Sequence, residues 1–167
     1  MTSTGTPRSS SEAPGRHRPA VLVLDHRDPA VAARLVALQQ AAYRVEADLL
    51  GTEALPPLHE SVADVRALDL VFLGVGVDPV LAALGYRVRD HVLDVDRLMV
   101  APTHQRRGLG HRLLGFALAV VPHTVAEVST GADNAPARRL YERCGFAAVA
   151  TAEPVPGLTV VTYRRAA

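Results

Sequence analysis

The chain has 167 residues, 49% hydrophobic, 21% charged and 4% aromatic, with a formal net charge of +1. That length suits one domain with its own core, and the composition is too apolar for wholesale disorder. Its longest apolar runs, such as Leu113–Val121, are too short to cross a bilayer, the near-balanced charge argues against nucleic-acid coating, and a single cysteine excludes an internal disulfide or an all-cysteine metal site.

Residues 1–18 are rich in Ser, Thr, Gly and Pro and carry no apolar stretch. They predict a disordered tail without a secretory signal, a cytoplasmic location and a single domain over residues 19–167. Ala20–Asp25 reads as a first strand. Asp28 and Pro29 open a helix, with Pro in the first turn where its missing N–H is not needed. Val31, Leu35, Leu38, Ala42, Val45 and Leu49 recur at helical spacing as its core face, and Gly51 ends it. A loop at Pro56–Pro57 follows, then a short helix begun by the capping-box pair Ser61 and Asp64.

Leu70–Val75, Leu81–Val88 and Val92–Val100 read as three strands of an antiparallel meander, with turns at Asp78-Pro79 and Asp90. Pro102 ends the third. A helix follows Gly108-Leu109-Gly110, its core face formed by Leu109, Leu113, Phe116, Ala117 and Val120. Thr124–Ser129 is a strand, Ala135–Arg143 a helix, and Phe146–Thr151 with Leu158–Tyr163 a closing strand pair. This order predicts an α+β domain built on one mixed sheet.

The stretch LDVDRLMVAPTHQRRGLGHRLLGFAL, residues 93–118, carries the first chemical signal. A strand runs through a turn with two glycines and two arginines straight into a helix. Such a helix start offers unpaired N–H groups and the positive end of the helix dipole, and glycines let an anion approach the backbone. Arg106 and Arg107 add directional donors. Gly108-x-Gly110 is not the dinucleotide fingerprint, because position 113 is Leu. Nor is it a P-loop: all 18 basic residues are Arg, and Lys and Ile are absent. Together with a single Asn, that absence also points to a GC-rich, bacterial genome, because the three amino acids share AT-rich codons.

The string Gln105-Arg106-Arg107-Gly108-Leu109-Gly110, preceded by the strand end Leu98-Met99-Val100-Ala101-Pro102, resembles the acyl-CoA signature of the GNAT acetyltransferase superfamily. The resemblance implies the GNAT acyl-CoA N-acyltransferase fold: one mixed, mostly antiparallel sheet of about seven strands with flanking helices. It implies acetyl-CoA as cosubstrate, with Leu98, Met99 and Val100 meeting the pantetheine arm through their main chain. Gln105, Arg106, Arg107, Gly108, Leu109, Gly110 and His111 would surround the pyrophosphate.

A second block runs from Asn134 to Phe146. Asn134, the only Asn, is a good helix N-cap, and Gly145 ends the helix before Phe146 enters a strand. The spacing Asn-x-x-Ala-x-x-Leu-Tyr-x-x-x-Gly-Phe is similar to the second conserved block of the same superfamily. By that resemblance Asn134 contacts the CoA arm and Tyr141 sits beside the thioester sulfur. A phenol of pKa about 10 is a suitable donor to a thiolate whose thiol titrates at roughly 8.5, so Tyr141 is the candidate general acid. Cys144 reads as a small apolar filler, with no His near it in sequence, so direct transfer is expected.

An amine acceptor must lose a proton before it attacks. Asp94 and Asp96 share a strand face; Asp94 is the first candidate base, and the competing account pairs both acids with Arg97 or Arg89. Tyr43 and Glu46 share a face of the first helix, which lines the acceptor site in the superfamily, so they would bind a cationic acceptor or Glu46 would be the base. A merely solvated helix face is the alternative. His104 and His111 lack a third ligand at recognisable spacing, so no metal is expected. The expected partners are acetyl-CoA and an amine acceptor (a small molecule or a protein N-terminus), with no nucleic acid and no membrane, and the superfamily resemblance adds a homodimer. A catalytically silent acyl-CoA sensor is the alternative function.

Overall fold

The computed structural model describes residues 20–167; the tail expected over residues 1–18 lies outside them. The elements follow the order β1 (Val21–Leu24), α1 (Pro29–Leu50), α2 (Pro56–His59), α3 (Val62–Ala67), β2 (Val71–Val75), β3 (Ala82–Arg89) and β4 (Val92–Val100). A single 3-10 turn (Pro102–His104) leads to α4 (Leu109–Val120), β5 (Val125–Gly131), α5 (Ala135–Arg143), β6 (Ala147–Val155) and β7 (Leu158–Ala166). Seven strands form one sheet in the order β1-β2-β3-β4-β5-β7-β6. All neighbours are antiparallel except β4 and β5, the pair whose connection carries α4, as a parallel pair requires a crossover.

Helix boundaries follow local chemistry. The Asp28 carboxylate accepts from the N–H groups of Ala30 and Val31 at 2.8 and 3.0 Å, and Gly51 closes α1 in the left-handed region at φ 64°. Ser61 and Asp64 form the reciprocal capping box, and Asn134 Oδ1 accepts from the Ala137 N–H at 3.1 Å. The expected loop at Pro56–Pro57 is instead the first turn of α2, where both prolines sit without a hydrogen bond to lose.

Helices cover both faces of the sheet. α1 and α3 pack with Phe72, Ala83 and Met99 around Leu35 and Val65, while α4 and α5 pack with Leu84, Leu93, Val95 and Val128 around Leu113 and Tyr163. Two expected core faces are rotated. In α1 the buried residues are Ala32, Leu35, Val36, Leu38, Gln39 and Ala47, while Val45 and Leu49 are exposed. In α4 Gly110, Leu113, Leu114 and Ala117 are buried, and Phe116 and Val120 face outward. No helix among the described residues is long and apolar enough to cross a membrane.

The sheet is irregular at one place that matters. Val95 pairs with Tyr86 and Arg97 with Gly85, leaving Asp96 as an extra residue in β4. Such a bulge bends the strand and re-aims its side chains. Leu93 and Val95 join the core beneath α4 and α5, yet Met99 joins the core beneath α1. Gly85 makes room: a Cβ there would sit 3.1 Å from Arg97 Cγ and 3.0 Å from Phe72 Cε1.

Arg97 is buried, and its guanidinium donates to Glu60 at 2.6 and 3.3 Å, to Gln39 Oε1 at 2.7 Å and to Asp96 at 2.8 Å. Gln39 in turn donates to Glu60 at 2.9 Å and to the Pro57 carbonyl at 2.6 Å. Removing one partner of a buried charge leaves the other uncompensated. Glu60→Ala is therefore expected to lower unfolding free energy by about 3 kcal/mol, the low end of the range because Asp96 remains. Urea melts of the two proteins check this, and a difference below about 1 kcal/mol, the level of an exposed ion pair, would refute it.

Candidate active site

β4 and β5 pair over only four residue pairs, Val92–Val95 against Val125–Val128. Beyond the bulge β4 continues along β3 to Val100, and β5 continues along β7 to Gly131. The two strands therefore part, and a wedge opens between Asp96–Leu98 on one side and Val128–Thr130 on the other. Its cavity of about 110 Å³ is also lined by Tyr43 and Glu46 of α1 and by Asn134, Ala137 and Tyr141 at α5. α1 and α5 lie on opposite faces of the sheet, so the wedge is reached from both.

Tyr141 is buried, with its ring centroid 5.9 Å from that of Tyr163 and 6.1 Å from that of Phe146. The Tyr163 hydroxyl is engaged, accepting from Arg138 at 2.9 Å and donating to Glu142 at 3.3 Å. That of Tyr141 has no such partner among the described residues. Burial, then the nearby charge of Glu46, push the Tyr141 hydroxyl well above its ordinary pKa, so it stays protonated. Burial also raises Glu46, an effect partly offset by the Asn134 side chain. Tyr43 is raised by burial first and by Glu46 second, while Arg97 pulls it down.

The start of α4 follows the C-terminal end of β4, the same end as the wedge. Arg106 and Gly108 both adopt positive φ, 61° and 80°, on either side of Arg107. Alternating backbone hand of this kind turns successive N–H groups toward one point. Side-chain oxygens cap α1, α3 and α5, but none caps α4, so its first N–H groups have no protein partner there. Gln105, Arg106 and Arg107 are exposed around this turn. Gly110 is packed: a Cβ would lie 3.3 Å from Leu140 and 3.7 Å from Leu98 and Val100, so the glycine lets α4 seat closely on β4.

The family model for the acetyltransferase (GNAT) family matches residues 35–146, which span the wedge and the α4 turn. The chain belongs to this family. A curated relative, UPF0157 protein YqkA of Bacillus subtilis, is 31% identical over 145 residues, 84% of this chain; the chain spans 41% of the length of that relative. Among solved structures, the ribosomal-protein-S18-alanine N-acetyltransferase of Escherichia coli matches with a TM-score of 0.69 at 18% identity, covering 89% of this chain and 94% of that one. The Salmonella typhimurium protein yncA, described as an acetyltransferase and solved with its cofactor acetyl-CoA, matches with a TM-score of 0.63 at 19% identity over the same shares of the two chains. These likenesses establish the GNAT fold.

Within this GNAT chain the structure brings Tyr43, Glu46, Leu98, Asn134 and Tyr141 to one cavity, although α1 and α5 are far apart in sequence. The solvated-face account of Tyr43 and Glu46 does not describe them: both line the wedge. Met99 turns its side chain into the α1 core, leaving only its main chain at the strand edge. Asp94 is not part of the wedge lining; it accepts from Arg87 Nε at 2.8 Å. Asp96 does line it, held by Arg87 at 3.2 Å and Arg97 at 2.8 Å. Arg89, the other expected partner, reaches Asp69 instead.

Two features escaped sequence reasoning. Glu60 and Gln39 lock Arg97 beneath the wedge, with no local signal linking residues so far apart. Cys144 does have a histidine partner, His111, with Sγ and Nδ1 3.2 Å apart. Burial nonetheless pushes the Cys144 thiol up, against the pull of Arg165 and Arg143, and Cys144 does not line the wedge. His111 belongs to no cluster of three metal-binding side chains among the described residues.

A carboxyl whose pKa is raised on folding weakens the folded state as pH rises through that value. Glu46→Gln removes the buried charge and keeps the shape. At pH 7 the variant is expected to melt at a higher temperature than the parent, with the gap closing as pH falls toward 4 and the parent's Glu46 protonates. Calorimetric Tm across that range checks it; a variant that melts lower at pH 7 would show that the carboxylate stabilises the fold.

Proposed function

We propose that this chain transfers the acetyl group of acetyl-CoA directly to an amine, at the wedge between β4 and β5. The observation that carries the reading is the convergence there of a partly buried carboxyl with a raised pKa, Glu46, and a buried, protonated phenol, Tyr141, from opposite faces of the sheet. Raised pKa values at a cleft are what acid–base work requires.

The residues present suit the cosubstrate. The uncapped start of α4, with Arg106, Arg107 and Gly108, offers N–H groups and positive charge to a pyrophosphate. Leu98–Val100 pair with β3 on one side only, which leaves strand-edge groups for the amide-bearing pantetheine arm. Asn134, at the α5 N-cap, stands beside the same groove. Acetyl-CoA supplies the activated acetyl group.

Glu46 is the base in this reading. Its pKa, raised by partial burial, lies nearer to that of the ammonium proton it must accept. The freed amine nitrogen bonds to the acetyl carbon, the carbon–sulfur bond breaks, and the Tyr141 hydroxyl gives its proton to the departing sulfur. Forming the amide also releases the second proton of the attacking nitrogen, so of the two protons the amine loses, one restores the Tyr141 phenol and the other leaves to solvent. Tyr43 and Arg97 frame the base, and the oxygens of Asp96 are held by two arginines.

Release of free CoA thiol across an amine panel tests the reaction itself. Tyr141→Phe is expected to lower kcat by about a hundred-fold while leaving calorimetric affinity for acetyl-CoA within a factor of about two. Unchanged turnover would remove Tyr141 from the chemistry. Gly108→Val forces a β-branched residue into positive φ, where nothing crowds its Cβ but the backbone resists. Its acetyl-CoA affinity is expected to fall by about ten-fold or more, and parental affinity would sink the pyrophosphate assignment.

A further inference from the structure

A second cavity, of about 300 Å³, opens beside the wedge and shares Glu46, Ser129 and Thr130 with it. Its volume lies at the lower end of the range for small-molecule sites. Leu50, Leu55 and Pro56 wall it on the α1–α2 side, and Val155, Leu158 and Val160 on the β6–β7 hairpin. At Gly131 a Cβ would fall 2.7 Å from the tip of the Leu50 side chain, so the glycine lets that side chain lie against β5 as one wall of the cavity.

Polar groups in this cavity are few and mostly committed. Ser129 shares a hydrogen bond of 2.9 Å with Thr162, and Thr130 is buried. Glu46 is the one ionisable side chain in the lining, and it stands on the side shared with the wedge. Leu55 and Leu158 belong to a packed cluster with Ala47 and Leu58, so the wall is built into the fold. A guest rich in amides or hydroxyls would bury groups that find no partner here, whereas a hydrocarbon body would lose nothing.

We propose that the acceptor is a small primary amine with an aliphatic or aromatic body. The body fills the second cavity, and the amino group lies at Glu46, at the boundary with the wedge. This rests on the reading that acetyl transfer takes place in the wedge. Leu158 and Val155 are then specificity-determining residues that select the acceptor through apolar contact. A peptide N-terminus fits less well, because its backbone would meet the same apolar walls.

The test compares hexylamine and phenethylamine with ethanolamine, spermidine and a short peptide bearing a free N-terminus. The full chain is used, with thiol release as readout, alongside titration of each amine into the CoA-saturated protein. The apolar amines are expected to exceed the others by about ten-fold or more in kcat/KM. Val155→Asp, at an exposed position, should raise KM for hexylamine by a similar factor without moving CoA affinity; Leu158→Asp should do the same if it folds. Equal use of ethanolamine, spermidine or the peptide would overturn the proposal while leaving acetyl transfer intact. So would the absence of saturable hexylamine binding to the CoA-loaded protein. Failure to bind acetyl-CoA at all would instead defeat the reading of the wedge on which it rests.

Discussion

β4 cannot serve two neighbours along its whole length. Up to Val95 it pairs with both β3 and β5; beyond Asp96 it stays with β3 alone while β5 follows β7. A strand that leaves one neighbour exposes main-chain groups needing other partners, and it opens a gap that helices from either face can line. The bulge at Asp96 makes the departure compatible with a closed core, because it inverts the facing of everything after it. Arg97 and Met99 turn toward α1 instead of continuing the row of Leu93 and Val95. The Arg97 fork then fastens the turned segment, using Nε toward Asp96, Nη1 toward Gln39 and Glu60, and Nη2 toward Glu60. A lysine, with one nitrogen on a flexible stem, lacks the planar geometry to address these acceptors together. In a chain without lysine, the cation beneath the wedge is thus also the one best suited to the task.

The same gap explains the electrostatics. Side chains lining a crevice through a sheet lose water without gaining the regular partners of the core, so desolvation governs them. Glu46 and Tyr141 both rise for that reason, and Tyr141 keeps its proton. Burial of Glu46 works against folding, which is the usual relation between an active site and stability. Arg97, already neutralised by Glu60 and Asp96, moderates the field without capturing the Glu46 carboxylate.

Local chemistry was legible and non-local geometry was not. Caps at Asp28, Ser61 and Asn134, the stop at Gly51 and the three-strand meander all follow from neighbours within a few residues, and they stand where the sequence puts them. The facing of α1 does not follow, because its inward side carries Gln39, Tyr43 and Glu46. A reading that sorts faces by apolarity sends these polar residues outward and brings Val45 and Leu49 in, whereas the fold does the reverse. Polar residues turned inward mark where local consistency yields to a site. The bulge has no signature in LDVDRLMV, so Asp94 and Asp96 look equivalent there. The pairs Arg97–Glu60 and Cys144–His111 join residues that only the folded sheet brings together.

In the proposed reaction, the choice of base among three carboxylates rests on how each acid is already held. Asp94 accepts from Arg87 Nε and lies off the wedge, away from the proposed acceptor. Asp96 lines the wedge, but its two oxygens are already taken by the Arg87 and Arg97 guanidinium groups, which leaves little room for an incoming ammonium. Glu46 has no arginine on its carboxylate in the hydrogen-bond pattern of the site, is raised by burial, and alone of the three stands between the wedge and the apolar cavity. An amine whose body occupies that cavity presents its nitrogen to Glu46 before it can meet either aspartate. The absence of an arginine on its carboxylate and its access to the cavity therefore select the same residue.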